Sequence, residues 1–404
     1  MGGVEVNGSN RLECGESVDD PRVIKETMRL INEFLSRVER HKSVLLSDSA
    51  TPFDEPIRAL SDWLPKIEAK IGEGNDEDVT NLRRAMLDIG RKMLGLLSQA
   101  REKWLSTYKL ELEELVERLR SSKARVIITG EPLNKDESFT AHLYTNHLAI
   151  EIERVARSEG VTISISFTGL GGDYVVVPKL FGDGKLRAMQ CGLLLTDGSI
   201  DEDGYPEMGT NQLWQVSAWL LAWPGKNSMY ISGLTLNDGD ISVVWQLMAV
   251  DHRDVFKDKA EVAEEASRLG DEEFPTFILY VVLSDGDADV EEKMVRLTMG
   301  HSKLGLWNGI IEKLESMGFR MDNDNGYTVV YVVWTSKAIE LARKMLSDPM
   351  IETLVEDLAQ LPDADKLRQL IELASMEPKP LGHSSIEVVD GVWMNVNVNN
   401  SRLC

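Results

Sequence analysis

The chain has 404 residues with 67 Asp and Glu against 44 Lys and Arg, a formal charge of −23, and 43% hydrophobic residues. That length predicts two or three domains, each able to bury a core. The acidity excludes a protein that coats nucleic acid by bulk electrostatics, and three widely spaced cysteines (Cys14, Cys191 and Cys404) exclude a disulfide framework or a zinc ribbon. The first twenty residues carry no apolar signal region, and the longest apolar run, Leu213 to Trp223, is too short to span a bilayer. The expectation is a cytoplasmic protein with no membrane partner.

After a polar leader expected to be disordered (residues 1–19), Asp20 and Pro21 form a helix start, and Val23, Ile24, Met28, Ile31, Leu35 and Val38 recur at helical spacing. A second helix is expected near Glu55 to Ile71, broken or kinked at Pro65. Then Leu82, Met86, Ile89, Met93, Leu96 and Ala100 form an apolar stripe that Trp104, Tyr108, Leu112, Leu115 and Leu119 continue in a slipped register. This reads as one coiled-coil-like helix of about 45 residues, roughly 65 Å long. It completes a helical domain (20–122) and must cover its stripe with the earlier helices or with a second copy of the chain or another protein.

From Ala124 the composition changes. "ARVIITG", "VTISISFTG" and "DYVVVPKLF" read as strands and "KDESFTAHLYTNHLAIEIERVARSEG" as a helix, giving a small α+β unit over 123–182. On that helix His147 and Glu151 share a face while His142 lies about 140° away, so only two metal ligands converge. A charged helix face is the plainer reading.

The strongest signal is an internal repeat. "LLLTDG" is followed by "YPEMGT", the helix "NQLWQVSAWLLAW", a hairpin turning at "NDGD" and the helix "DKAEVAEEASRL". "VVLSDG" is followed by "KMVRLTMG", the helix "SKLGLWNGIIEKLESMGF", a hairpin turning at "NDNG" and the helix "SKAIELARKML". Met208, Gly209 and Leu213 match Met299, Gly300 and Leu304 at identical spacing. The repeats run over about 185–268 and 272–347 within a core of 183–350.

The stretches "QCGLLLTDG" (Gln190 to Gly198) and "ILYVVLSDG" (Ile278 to Gly286) resemble the nine-residue motif of double-motif LAGLIDADG homing endonucleases. The likeness covers about Leu186 to Met350, and the same stretch is similar to crenarchaeal PaRep-type hypothetical proteins. The resemblance implies an α+β fold of two pseudo-symmetric αββαββα units, preceded here by the helical domain. It also implies a mobile-element origin and binding of double-stranded DNA on the hairpin strands. By the same resemblance, site-specific cleavage would use Mg²⁺ held by Asp197 and Asp285 from the C-terminal ends of the two motif helices. Lys226, Arg296, Lys303 and Arg320 are the candidate phosphate contacts.

The chain also departs from the family. Leu279 and Tyr280 stand where small residues usually let the motif helices touch, which predicts that the tyrosine pushes them apart or forces a different crossing, and Leu195 and Leu283 replace an acidic position. The hairpin "NSMYISGLTLNDGDISVVWQLMA" has no basic residue, and Asp201, Glu202 and Asp203 would repel a phosphate. The competing reading is a catalytically inactive, repurposed descendant that binds a protein.

Among aliphatic neighbours, Trp214, Trp219, Trp223, Trp245, Trp307 and Trp334 read as core rather than as base-stacking residues. "DGDADVEE" begins like a calcium loop but has Val290 and Arg296 at the wrong places, so it reads as a solvated turn. The C-terminal part (351–404) adds two helices and a hairpin around Asp390-Gly391 that could pair with a sheet edge.

Overall fold

A computed structural model describes residues 5–8, 18–72, 76–157, 160–378, 385–389 and 392–395. Strand β1 (Glu5–Gly8) lies within the leader and pairs parallel with β2 (Arg125–Gly130). The remaining leader residues, and the turn at Asp390-Gly391, lie outside the described residues.

Helix α1 (Pro21–Arg40) begins as its sequence demands, with the Asp20 carboxylate accepting from the Arg22 amide and Pro21 in the first turn. Its buried face is Val23, Leu30, Ile31, Phe34 and Val38, flanked by half-buried Ile24, Met28 and Leu35. A one-turn helix α2 (Lys42–Leu45) follows. Helix α3 (Asp54–Ala69) runs through Pro65 without a break, so of the two expectations there the interruption is not met. Pro65 and Ser61 both face solvent, where water can satisfy the Ser61 carbonyl that loses its helical donor.

The long helix is α4 (Glu77–Lys103), a π-helical turn over Trp104–Tyr108, and α5 (Lys109–Arg120). The π-turn explains the slipped stripe. Ala100, Trp104, Tyr108 and Leu112 are spaced by fours, which on an α-helix would drift about 40° per step; the wider turn absorbs that drift. All four are fully buried. The stripe is covered inside the chain, because α4 packs on α3, and a Cβ on Gly90 would lie 2.9 Å from the Trp63 ring.

Gly95 on the same helix is exposed and has nothing within 4 Å of where a Cβ would stand. Gly95→Ala is therefore expected to raise the unfolding free energy by about 0.5–1 kcal/mol in a urea titration, the helical glycine penalty without a packing cost.

The helix expected between Lys135 and Gly160 is instead an antiparallel pair, β3 (Phe139–Tyr144) and β4 (Leu148–Arg154). Phe139, Ala141 and Leu143, then Leu148, Ile150 and Ile152, point inward at every second position, a period that a strand satisfies and a helix does not. His142 and Glu151 face each other across the two strands, and the Nδ1 of His147 in the turn meets Glu111 at 2.6 Å. Thus the spacing of His147 and Glu151 does not build a metal site. Strands β5 (Val161–Phe167) and β6 (Asp173–Val177) follow.

Two segments then run through the same series of elements. The first is α6 (Asp183–Leu195), β7 (Gly198–Ile200), β8 (Pro206–Thr210), α7 (Leu213–Ala222), β9 (Gly225–Leu236), β10 (Ile241–Ala249) and α8 (Lys259–Arg268). The second is α9 (Phe274–Asp285), β11 (Gly286–Asp289), β12 (Met294–Gly300), α10 (Leu304–Ser316), β13 (Arg320–Asp324), β14 (Thr328–Trp334) and α11 (Thr335–Met345). Helices α12 (Pro349–Leu358) and α13 (Asp365–Ser375) and a strand pair, β15 (Ser385–Val389) with β16 (Val392–Asn395), complete the described chain.

The strand orders agree as well: β7-β8-β10-β9 in the first segment and β11-β12-β14-β13 in the second, antiparallel throughout. The first sheet does not stop at β9. It continues through β5, β4, β3 and β2 to β1, with β6 also on β9, so the strands of 125–177 extend the sheet of the first segment. Helix α1 is fastened to this sheet by Arg37, which donates to the carbonyls of Leu236 at 2.6 Å and Val161 at 2.8 Å. The whole is a mixed α/β protein with antiparallel sheets.

Candidate carboxylate site at the paired helix ends

Helix α9 and the C-terminal half of α6, Cys191 to Leu195, are apolar all round, as centrally buried segments must be, and the two helices pack on each other. Tyr280 does not force them apart. Gly192 gives way instead: a Cβ there would stand 2.7 Å from the Tyr280 Cβ and 3.0 Å from the Phe277 carbonyl oxygen. One small residue on one helix suffices for the close approach. Neighbouring Cys191 is buried, which pushes its thiol up to about 12 and leaves it inert.

Both helices end at their Asp-Gly. The Thr196 hydroxyl donates back to the Gly192 carbonyl at 2.8 Å as α6 closes. Gly286 is required by crowding, since a Cβ would meet the Arg296 carbonyl oxygen at 2.3 Å. Asp197 emerges exposed, with one oxygen accepting from the Gln215 side-chain amide; the Gln215 carbonyl in turn accepts from the Thr210 hydroxyl. Asp285 is half-buried. Burial foremost, and then repulsion from Asp197, hold its carboxyl above the usual range, while Lys303, Lys259 and Lys366 oppose that rise.

Two of these lysines were not singled out from the sequence. Lys259, the first residue of α8, donates to the Thr196 carbonyl at 3.2 Å, and Lys366, in α13, donates to the carbonyls of Leu283 at 3.0 Å and Ser284 at 2.7 Å. Each ammonium caps the carbonyl end of one motif helix, where the helix dipole favours a cation. Burial lowers the affinity of both for a proton, and Asp197 and Asp285 pull it back up. No spacing in the sequence points to Lys366, which lies outside both repeats; only the fold brings it here. Gln215 was legible only as one polar residue in an apolar helix.

The four candidate phosphate contacts are scattered in their engagements. Arg296 is a two-pronged partner of Asp287, at 2.9 and 2.6 Å. Arg320 donates to the carbonyls of Glu315 and Phe319 at 2.7 and 2.6 Å, closing the end of α10. Lys226 lies 4.0 Å from the centre of the Tyr174 ring, and Lys303 stands near the Asp285 carboxylate. Asp201 accepts from the Asp203 and Tyr205 amides and organises its own turn, as Asp289 does by accepting from Glu292.

Around them the outward positions of β9, β10 and β8 include Lys226, Ser228, Tyr230, Ser232, Val244, Gln246 and Glu207, a hydroxyl-rich face with one lysine and one glutamate. Five of the six tryptophans considered are buried; Trp334 is 41% exposed, at the end of β14. Among the described residues, no group of three or more His, Cys, Asp or Glu side chains is placed to hold a metal ion, and no helix is long and apolar enough to cross a membrane.

No model of a known protein family matches the chain, and no curated protein matches it.

Proposed function

We propose that this chain is a LAGLIDADG-like protein of mobile-element origin that no longer cleaves DNA and instead binds a protein on the outward face of its large sheet. The observation that carries this reading is the pair Lys259 and Lys366. They bring to the Asp197 and Asp285 carboxylates the positive charge that Mg²⁺ would otherwise supply, and they hold it by hydrogen bonds to both helix ends. A Mg²⁺ ion needs carboxylate and water ligands in near-octahedral array, and ammonium groups beside those carboxylates oppose its entry. The residues present therefore do not fit the metal that the resemblance implies.

The sheet face supports the same conclusion, because duplex recognition rests on several Lys and Arg at phosphates, whereas the outward face of β8, β9 and β10 offers the single Lys226 among Ser, Tyr, Gln and Glu. Tyr and Ser are suited to protein contact, supplying area and adaptable hydrogen bonds. The shared element and strand orders and the helix-end aspartates are what make the LAGLIDADG-like ancestry the reading of choice. Metal-dependent site-specific cleavage of double-stranded DNA is the competing reading, favoured by the convergence of Asp197 and Asp285 alone.

Binding to a random pool of duplex DNA, with and without Mg²⁺ at two salt concentrations, separates the two. The expected result is neither salt-sensitive retention nor cutting; a selected site that is cut by the parent and spared by Asp285→Ala would overturn the proposal. Stability gives a second test. A carboxyl whose folded pKa is raised binds its proton more tightly in the folded state, so its ionisation destabilises the fold as pH rises. Asp285→Asn should therefore unfold at higher temperature than the parent near pH 7 and at the same temperature at about pH 3, below the ordinary aspartate range. A Mg²⁺-dependent rise in the parent's Tm that Asp285→Asn abolishes would restore the metal reading.

A further inference from the structure

We propose that the protein partner docks by strand addition: an extended segment with alternating apolar residues and one carboxylate pairs along the open edge of β6, beside Lys226. This inference rests on the protein-binding reading and gives it a docking mode and a partner chemistry.

Two strands in line share one edge of β9, with β5 against Gly233 to Thr235 and β6 against Gly225 to Met229. Strand β4 flanks β5 and does not pair with β6, so among the described residues β6 has a strand on one side only. In an antiparallel ladder, pairs that exchange hydrogen bonds alternate with pairs that do not. The Tyr174 amide donates to the Asp173 carboxylate at 2.7 Å, and the Lys226 amide donates to the Asp251 carboxylate at 2.7 Å. Neither amide is spent between the strands, so Tyr174 with Ser228 and Val176 with Lys226 are the non-exchanging pairs. The Val176 N–H and the carbonyls of Tyr174 and Val176 therefore point away from β9, along the open edge.

The side chains agree with the backbone. Tyr174 is 55% and Val176 75% exposed, on the same outward face as Lys226. An exposed valine on an unpaired strand invites pairing, and three other edge strands are guarded against it. Strand β7 has only three residues, β11 carries Asp287 and Asp289, and β13 carries Arg320, Asp322 and Asp324 with a bulge after Met321. Strand β6 has no such guard, since its one charged residue, Asp173, is paired with Lys92 at 2.6 Å. The edge accommodates a visiting strand of about five residues, roughly 17 Å long.

Lys226 sets the charge of that visitor. The other cations at this edge, Lys92 and Lys179, are ion-paired with Asp173 and Asp183. Lys226 has no ion pair among the described residues and lies 4.0 Å from the centre of the Tyr174 ring. A carboxylate on the added strand complements it, and a basic segment would be repelled.

The test selects phage-displayed random dodecapeptides on the full chain and titrates the enriched sequences as fluorescein-labelled peptides. These should alternate apolar residues and carry an Asp or Glu. Val176→Pro removes the outward N–H without touching a bond to β9, and it should weaken them by about tenfold. Because proline also restricts Val175, Lys226→Glu provides a variant that leaves the backbone unchanged. It should weaken the same peptides by about tenfold and favour a peptide whose carboxylate is exchanged for Lys. Peptides that bind Val176→Pro and the parent alike would overturn strand addition and leave the protein-binding reading standing, which the duplex-DNA pool judges separately. Failure of any peptide to be enriched, or parental affinity in Lys226→Glu, would overturn the proposal as well. A parent dimer in sedimentation that Val176→Pro dissolves would give the edge to a second copy of the chain and overturn it too.

Discussion

Gly192→Val should destabilise the protein by about 3 kcal/mol or more and bring its urea midpoint well below the parent's. A first Cβ at position 192 already stands 2.7 Å from the Tyr280 Cβ and 3.0 Å from the Phe277 carbonyl oxygen, and neither obstacle is the free end of a flexible chain. Every residue of α6 from Ala188 to Leu195 and of α9 from Thr276 to Leu283 is buried, so separation of the two helices at Gly192 must displace the layers that enclose them. Overpacking of one or two carbons in a rigid core costs about 1–3 kcal/mol, occasionally more, and valine adds a branched Cβ inside a helix. Set against a typical total stability of about 5–15 kcal/mol, that removes roughly a fifth to three fifths of it.

Gly192→Ala should lose less, and Tyr280→Ala should not rescue it, because the obstructing Cβ remains. Urea titrations of the three variants check this. An unchanged midpoint for Gly192→Ala would mean that the helices are farther apart than described.

The same pair shows what could be read from the chain before folding. Both Asp-Gly helix ends, and the series of elements after each, were legible because a repeated order of apolar helix, strand and hairpin survives divergence in side chains. The steric problem at Tyr280 was legible too, but its solution was not: one glycine opposite suffices, and a pattern scanned helix by helix treats the two faces separately. The long helix was read at about 45 residues with a slipped stripe from Leu82 to Leu119, and it spans 77–120; the π-turn leaves its trace as successive steps of four.

The strands β3 and β4 were misread because "AHLYTNHLAIEIERV" satisfies both periods in part. Leu143, His147, Ile150 and Arg154 also fall at helical spacing, and strand pairing with β5 decides the matter. Lys259 and Lys366 were invisible for a different reason. A capping ammonium that arrives from another element has no local signature, whereas Asp20 before Pro21 has one.

Asp357→Ala should be the most damaging change away from the motif helices, at about 3–5 kcal/mol. Asp357 is fully buried in α12, where it accepts from Lys70 at 2.5 Å and from Arg83 at 2.8 Å, and its backbone carbonyl accepts from the Trp63 indole at 2.8 Å. Arg83 is held in turn by the Lys70 carbonyl at 2.9 Å. Removal of the carboxylate leaves two cations facing each other with Arg83 only 13% exposed, so the guanidinium cannot recover its water. The cost is that of uncompensated charge rather than of a lost attraction, and a second variant shows the difference. Lys70→Met, Arg83→Met and Asp357→Leu together should recover most of the stability, because an apolar trio of similar size needs no partners. A loss below about 1 kcal/mol for Asp357→Ala would disprove the buried triad. Since α12 leads through a short turn into the start of α13, which carries Lys366, weakening of this clasp should also shrink the pH dependence removed by Asp285→Asn.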